Sequence, residues 1–315
     1  MLVNRSRQLR VAAIDCGTNS IRLLIADIEN GQLTDVVRQM IIVRLGEGVD
    51  KTGEFSTAAL ERTFAAVDEY VKLIEIYKSQ RIRFVATSAS RDVSNREVFV
   101  NGIKARLGIE PSVISGDEEA RLSFLGATAD LINDQNAPAS PYLVVDIGGG
   151  STEFVLGTTG PNQALSTNVG CVRMTERHLV GDPPTAEQIA AATKDIDEAI
   201  DQAAKVVDLA SAKSLIGLAG SVTTVAAIAL GLTAYKSEII HGSRISAAQV
   251  HKVATELLAM PREQRAKLGP MHPGRVDVIG GGALVLDRIM QKTGIGEVVV
   301  SERDILDGIA RDLTK

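Results

Sequence analysis

Tryptophan is absent from this chain of 315 residues, and aromatic residues amount to only 3% of it. So few rings leave little from which to build the stacking platforms that grip unpaired bases. Basic residues do not dominate either: 34 Lys and Arg face 39 Asp and Glu, a net charge of −5. That balance excludes a general nucleic-acid coat. It leaves room for an anionic substrate, because a few arginines and a metal ion neutralise phosphate locally. Cysteine occurs twice, at Cys16 and Cys171, each beside a glycine. A disulfide framework is excluded, and two small buried thiols in a cytoplasmic protein are expected. His178, His241, His251 and His272 show no metal-ligand spacing, which excludes a usual zinc site. No apolar run approaches membrane-spanning length, and the polar stretch Val3–Arg7 does not read as a secretory leader. An apolar content of 45% supports a real core, in one large or two medium domains.

What is present is one turn written twice. Asp15-Cys16-Gly17-Thr18-Asn19-Ser20 follows the apolar run Val11–Ile14, and Asp146-Ile147-Gly148-Gly149-Gly150-Ser151-Thr152 follows Leu143–Val145. Each time a buried-looking strand delivers an aspartate, then glycines and hydroxyls, then a second β-rich run. Such a hairpin exposes backbone N–H groups beside a carboxylate. N–H groups bind phosphate oxygens, and the carboxylate holds a hydrated Mg²⁺. Glycine alone explains a turn, but not the repeated aspartate and hydroxyls. Two such turns suggest two related domains holding one phosphorylated ligand.

The remaining pattern alternates strands and helices, so the fold class is α/β. Ser56 or Thr57 caps a helix with Leu60, Phe64, Val67, Val71 and Ile74 on one face. Residues 82–87 read as a strand. A helix carrying Phe99, Ile103 and Leu107 stops at Gly108. Residues 112–115 read as a short strand, and a helix opens at Gly116 and runs toward Leu131. Residues 133–141 form a polar loop. Thr185–Gln188 and Ser246–Gln249 are capping boxes opening two long helices. Residues 214–219 form a strand leading into Gly220-Ser221-Val222-Thr223-Thr224. Residues 275–289 read as a buried helix, broken or closely approached at Gly280–Gly282. Residues 298–300 form a strand, and Ser301–Asp304 cap the last helix.

Several stretches taken together resemble the exopolyphosphatase and guanosine pentaphosphate phosphohydrolase family, within the actin, Hsp70 and sugar-kinase superfold. They are Ile14–Leu24, Ala86-Thr-Ser-Ala-Ser-Arg91, Ile114-Ser-Gly-Asp-Glu-Glu-Ala-Arg121, Val145-Asp-Ile-Gly-Gly-Gly-Ser-Thr-Glu153, His241-Gly242, Met271–Arg275 and Asp277–Ile279. The resemblance spans essentially the whole sequence. Longer members carry additional C-terminal helical domains that this sequence does not include. The resemblance implies two actin-like (ribonuclease H-like) domains with an active-site cleft between them. Residues 1–125 plus 301–315 would form the first and 126–300 the second.

It also implies roles. Phosphoanhydride hydrolysis needs an in-line water, a base and charge neutralisation. One carboxylate near the water suffices as base, and by resemblance this is Glu119. Periodicity alone does not choose it. Leu122, Leu125 and Ala129 define a stripe that holds Glu118 and leaves Glu119 at its edge. A stripe position needs a partner, such as Arg121. Asp146 and Glu153, flanking the glycine turn, are the expected Mg²⁺ ligands (with Mn²⁺ as a substitute), and Glu153 also orients the water. Asp15 adds an outer-shell contact. Phosphate grips are expected from Gly17, Thr18, Asn19 and Ser20 and from Gly148, Gly149, Gly150 and Ser151. Arg91 is the expected clamp on the transferred phosphoryl group. Arg22 reads as a surface strand charge. The substrate implied is inorganic polyphosphate or, alternatively, guanosine pentaphosphate (pppGpp), with no nucleic-acid or membrane partner and a homodimeric state. A kinase or ATPase of the same superfold, with the Gly220 turn on an adenosine, and a non-catalytic phosphate sensor are further alternatives.

Overall fold

The computed structural model describes residues 8–131 and 137–314. The polar stretch at residues 3–7 and residues 133–136 of the expected loop lie outside them. The chain divides into two units, Met1–Ser115 with Ile305–Lys315, and Gly116–Asp304.

The first unit carries a five-stranded sheet in the order β3-β2-β1-β4-β5. Its strands are β1 (Leu9–Cys16), β2 (Ser20–Glu29), β3 (Gln32–Ile42), β4 (Arg81–Ala86) and β5 (Ser112–Val113). The first three run antiparallel through hairpins, and β4 and β5 join parallel. The second unit carries β6 (Tyr142–Ile147), β7 (Thr152–Gly157), β8 (Pro161–Thr167), β9 (Ser214–Leu218), β10 (Arg244–Ser246) and β11 (Glu297–Val300). Its order is β10-β11-β9-β6-β7-β8. Again two hairpins form the antiparallel half, and β9 and β11 join parallel to β6. Read from β8 and from β3, the first five strands of the two sheets have the same order and directions. The repeated turn therefore marks a repeated fold, and in both copies it joins the first two strands.

In the first unit Ser56 caps the helix Thr57–Tyr77 by accepting from the Ala59 N–H. Leu60, Val67, Tyr70 and Ile74 of that helix are buried, and Phe64 and Val71 pack at the margin. Phe99 is fully buried, with ring centroids 5.7 Å from Phe55 and 6.1 Å from Phe84. The helix Arg96–Leu107 ends at Gly108, whose φ of 70° suits glycine. In the second unit both expected capping boxes form, at Thr185 and at Ser246. The apolar segment expected from 275 begins as an α-helix at Ile279 and runs through its glycines to Thr293. It is closely approached rather than broken: a Cβ on Gly281 would lie 2.8 Å from the Cys171 carbonyl oxygen.

The helix Gly116–Thr128 belongs to the second unit, so the division falls at Ser115/Gly116 rather than at 125/126. Ala120, Phe124 and Ala127 pack with Val144, Val155, Ile216 and Leu218. The opposite face of the same sheet carries Leu143, Val145, Ile147 and Phe154. Periodicity reveals a buried stripe on a helix but not which sheet receives it. At the other end the last helix, Ile305–Asp312, packs in the first unit, where the Arg38 guanidinium donates to buried Asp307 at 2.6 Å.

Tyr70 ties the helix Thr57–Tyr77 to the first residues of β2 by donating to the Ile21 carbonyl at 2.9 Å. Burial pushes its phenol pKa up, so it remains a neutral donor. Tyr70→Phe is expected to lower unfolding stability by about 1 kcal/mol, read as a shifted urea midpoint with an unchanged slope.

Candidate active site

Strand geometry selects which side chains meet in the second unit. Successive side chains alternate faces. Val144 and Val155 face the helix Gly116–Thr128, so Asp146 on β6 and Glu153 on β7 share that face. The two are directly opposite in the β6–β7 register. The helix brings the third carboxylate. Its start lies close to β8, where a Cβ on Gly116 would sit 2.5 Å from the Cβ of Ser166. Glu119 follows one turn later and is buried, 7% exposed, as is Asp146, while Glu153 is 1% exposed.

Glu119, not Glu118, therefore occupies the buried face. Glu118 is half-buried and reaches Arg121 at 3.9 Å. The stripe drawn through Leu125 and Ala129 is rotated from the real one, which runs through Ala120, Ser123, Phe124, Ala127 and Thr128. Ser123 is the reason. A buried serine reads as polar in the sequence, yet its hydroxyl donates to the Asp146 carboxylate at 2.7 Å. Ser166 on β8 donates to Glu153 at 2.8 Å. Burial raises the pKa of Glu153 well above the ordinary glutamate value, and the charges of Glu119 and Asp146 push it the same way. The Ser166 and Ser151 hydroxyls oppose the shift without cancelling it.

Beside this cluster lies the glycine turn. The Gly148 N–H closes it on the Ser151 carbonyl at 3.0 Å. The Gly148 carbonyl accepts from the Cys171 N–H, and the Gly149 carbonyl from the N–H groups of Val172 and Arg173. A trans peptide points its C=O and the following N–H in opposite directions. The N–H groups of Gly149 and Gly150 therefore face away from the helix Cys171–Arg177, and among the described residues neither donates to another backbone carbonyl. The helix reaches the turn because residue 170 is glycine: a Cβ there would lie 2.5 Å from the Gly149 oxygen.

The first unit repeats the device. The Gly17 N–H closes its turn on the Ser20 carbonyl at 3.0 Å. The Thr18 carbonyl accepts from Gly46, and the Asn19 carbonyl from Val43 and Arg44, which sends the following N–H groups the other way. The Thr18 and Ser88 hydroxyls lie 3.0 Å apart, linking the turn to the segment that carries Arg91. Arg96 donates to the carbonyls of Ser90 and Arg91, both at 2.7 Å, and Arg91 donates to the Ile114 carbonyl at 3.1 Å. Arg22 is not the surface charge its position suggests. It donates twice to buried Asp15, at 3.0 and 2.6 Å, so Asp15 has a cationic partner within its own unit. Cys16 and Cys171 are free, buried thiols whose pKa values burial raises.

The residues fit a hydrated hard cation better than a closed metal cage. Among the described residues no three His, Cys, Asp or Glu side chains are grouped to hold a metal ion. Asp146 and Glu153 form a pair, and Mg²⁺ is commonly held by one or two carboxylates with water and substrate phosphates completing the shell. Their mutual repulsion at Glu153 is the observation that favours positive charge there. The expected turn at Gly220 is not a separate turn: Gly220–Thr224 lie in the helix Ala219–Ala229, and the space beside Gly220 is occupied. Arg275 donates to the Gly220 carbonyl at 2.8 Å and to the Thr224 hydroxyl, and its guanidinium fills the space a side chain at residue 220 would need. No helix among the described residues is long and apolar enough to cross a membrane.

The chain is similar along nearly its whole length to known proteins. The profile of the Ppx/GppA phosphatase family matches residues 24–315. Exopolyphosphatase 2 of Mycobacterium tuberculosis is 48% identical over 317 aligned positions, covering 96% of this chain and 98% of that one. A solved structure of the Aquifex aeolicus PPX-GPPA enzyme superposes with a TM-score of 0.81 at 30% identity, covering 97% of this chain and 100% of the other. The guanosine-5'-triphosphate,3'-diphosphate pyrophosphatase of Pseudoalteromonas atlantica is 35% identical over 203 residues, 64% of this chain and 38% of that protein.

Because the folded state raises the Glu153 pKa, Glu153 favours folding fully only below the ordinary glutamate range. That contribution is lost as pH rises toward the folded-state value. Metal-free Glu153→Gln is therefore expected to melt higher than the parent at neutral pH, with the difference shrinking as pH falls toward the ordinary range. Melting curves across that range check it, and equal curves at every pH would remove the buried charge from the account.

Proposed function

The chain belongs to the Ppx/GppA phosphatase family, and from that premise we propose that it is an exopolyphosphatase, releasing terminal orthophosphate from inorganic polyphosphate with an activated water. The observation that carries the reading is the placement of Glu119, Asp146 and Glu153 on one buried face beside a turn whose glycine N–H groups are turned outward. Phosphoryl transfer depends mainly on positioning and charge stabilisation, which is what such a set supplies.

Glu119 is the general base. It accepts a proton from water as the oxygen attacks the terminal phosphorus and the bridging P–O bond breaks. The shortened chain leaves as a phosphate that needs no strong acid. Ser123 holds Asp146 and Ser166 holds Glu153, so the carboxylates keep their orientation through the reaction. The N–H groups of Gly149 and Gly150 and the Ser151 hydroxyl receive phosphate oxygens. The first turn, Gly17 to Ser20, and Arg91 carry the same phosphate-binding chemistry within the first unit. Asp146 and Glu153 would hold Mg²⁺, or Mn²⁺ in its place, and the ion would neutralise phosphate charge. Asp15, paired with Arg22, is assigned at most an outer role. The enzyme is read as cytoplasmic and homodimeric.

Hydrolysis of pppGpp is the second reading, favoured by the similarity to the Pseudoalteromonas pyrophosphatase. The Arg275 guanidinium packs against Gly220, the residue that the kinase-like alternative would put on an adenosine, and so speaks against that alternative.

Phosphate release from polyphosphate, pppGpp and ATP separates these readings, with polyphosphate expected to be cleaved fastest. Glu119→Gln should bind polyphosphate normally and turn it over roughly 10²–10⁴-fold more slowly. Asp146→Asn should shift the Mg²⁺ requirement upward. Full turnover by Glu119→Gln would mean that another group is the base, and faster cleavage of pppGpp would exchange the two substrates.

A further inference from the structure

The glycine turn of the second unit has three successive carbonyls to restrain, and among the described residues backbone donors reach only two of them. Cys171, Val172 and Arg173 donate their N–H groups to Gly148 and Gly149. The next N–H, that of Met174, bonds to Gly170 within the helix itself. The third carbonyl, that of Gly150, is taken by a side chain: the Arg173 Nε donates to it at 2.8 Å. We propose that Arg173 is a positioning residue, whose guanidinium fixes the Gly150 carbonyl and so aims the Ser151 N–H at the phosphoryl group being transferred. The inference rests on the reading of this turn as the phosphate cradle.

Glycine rotates its flanking peptides at little steric cost. Left alone, the Gly150–Ser151 peptide could turn its carbonyl toward the phosphate and replace a donor with a repelling acceptor. The guanidinium prevents this by holding the oxygen on the far side, which by peptide planarity sends the Ser151 N–H with those of Gly149 and Gly150. Three convergent N–H groups form a stronger anion cradle than two. A positive charge at the carbonyl end also polarises the peptide and strengthens its N–H as a donor. The platform is fixed on both sides. Gly170 lets the helix Cys171–Arg177 contact the turn, and Gly281 lets the helix Ile279–Thr293 press on the carbonyl of Cys171.

Two variants separate positioning from packing. Arg173→Met keeps the aliphatic stem and removes every donor; Arg173→Ala leaves room for a free guanidinium ion. The direct readout is the amide NMR spectrum of glycine- and serine-labelled protein titrated with tripolyphosphate. In the parent the Gly149, Gly150 and Ser151 resonances are expected to shift together. In Arg173→Met the Ser151 shift should be lost. Kinetically, both variants should lose about ten- to hundredfold in kcat on polyphosphate, less than removing an oxyanion donor outright, with a smaller change in KM. Millimolar guanidinium should restore part of the activity of Arg173→Ala and none of that of Arg173→Met. An unchanged Ser151 shift with unchanged kcat in Arg173→Met would overturn the proposal, as would parent amides that ignore tripolyphosphate. A parent whose three amides respond, but which cleaves neither polyphosphate nor pppGpp, would leave this inference standing and remove the functional reading instead.

Discussion

Three carboxylates share one buried face of the second sheet, and the repulsion between them is the constraint the rest of the site answers. Water would screen such charges, but Glu153 is 1% exposed, and Glu119 and Asp146 are little more so. Hydroxyls from Ser123 and Ser166 orient two of the three without supplying charge. The pKa of Glu153 stays raised, so the folded protein alone does not settle the electrostatics. A cation or a proton relieves the repulsion; without one, the buried charge costs stability that an enzyme tolerates where chemistry requires it. This imbalance connects packing to function: the same burial that penalises the charge makes the carboxylates responsive to a metal and to a phosphate.

The glycine turns solve the complementary problem of presenting positive potential without a cation. In each unit the carbonyls of the turn are engaged by a neighbouring segment, residues 43–46 in the first and the start of the helix Cys171–Arg177 in the second. Once the carbonyls are held, planarity decides where the N–H groups point. The two units share strand order and turn closure but differ in what holds the carbonyls. A shared demand on the turn thus survives different local solutions.

Much of this was legible in the sequence. The repeated turn announced the repeated sheet, because strand, aspartate, glycine and hydroxyl fall in one order twice. Helix caps at Ser56, Thr185 and Ser246 read correctly because capping is local chemistry. The assignment of the helix Gly116–Thr128 to its unit was not legible, since Ala120 and Phe124 show only that a face is buried. The role of Glu119 rests on family resemblance; periodicity puts Glu118 on the buried stripe and Glu119 at its edge, whereas Glu119 is the buried one. The buried face is completed by Ser123, which looks polar until its partner Asp146 is in place. Arg22 and Arg173 were missed for a similar reason: an arginine on a strand or in a first helical turn reads as solvated, and only the fold shows that one meets Asp15 and the other the Gly150 carbonyl.

The central proposal is that Asp146 and Glu153, paired across β6 and β7, hold the divalent cation beside the glycine turn. Calorimetry of Mg²⁺ binding to the parent, Asp146→Asn and Glu153→Gln tests it most directly. The account predicts that both substitutions weaken binding severalfold or more. Binding by both variants that matches the parent would contradict it.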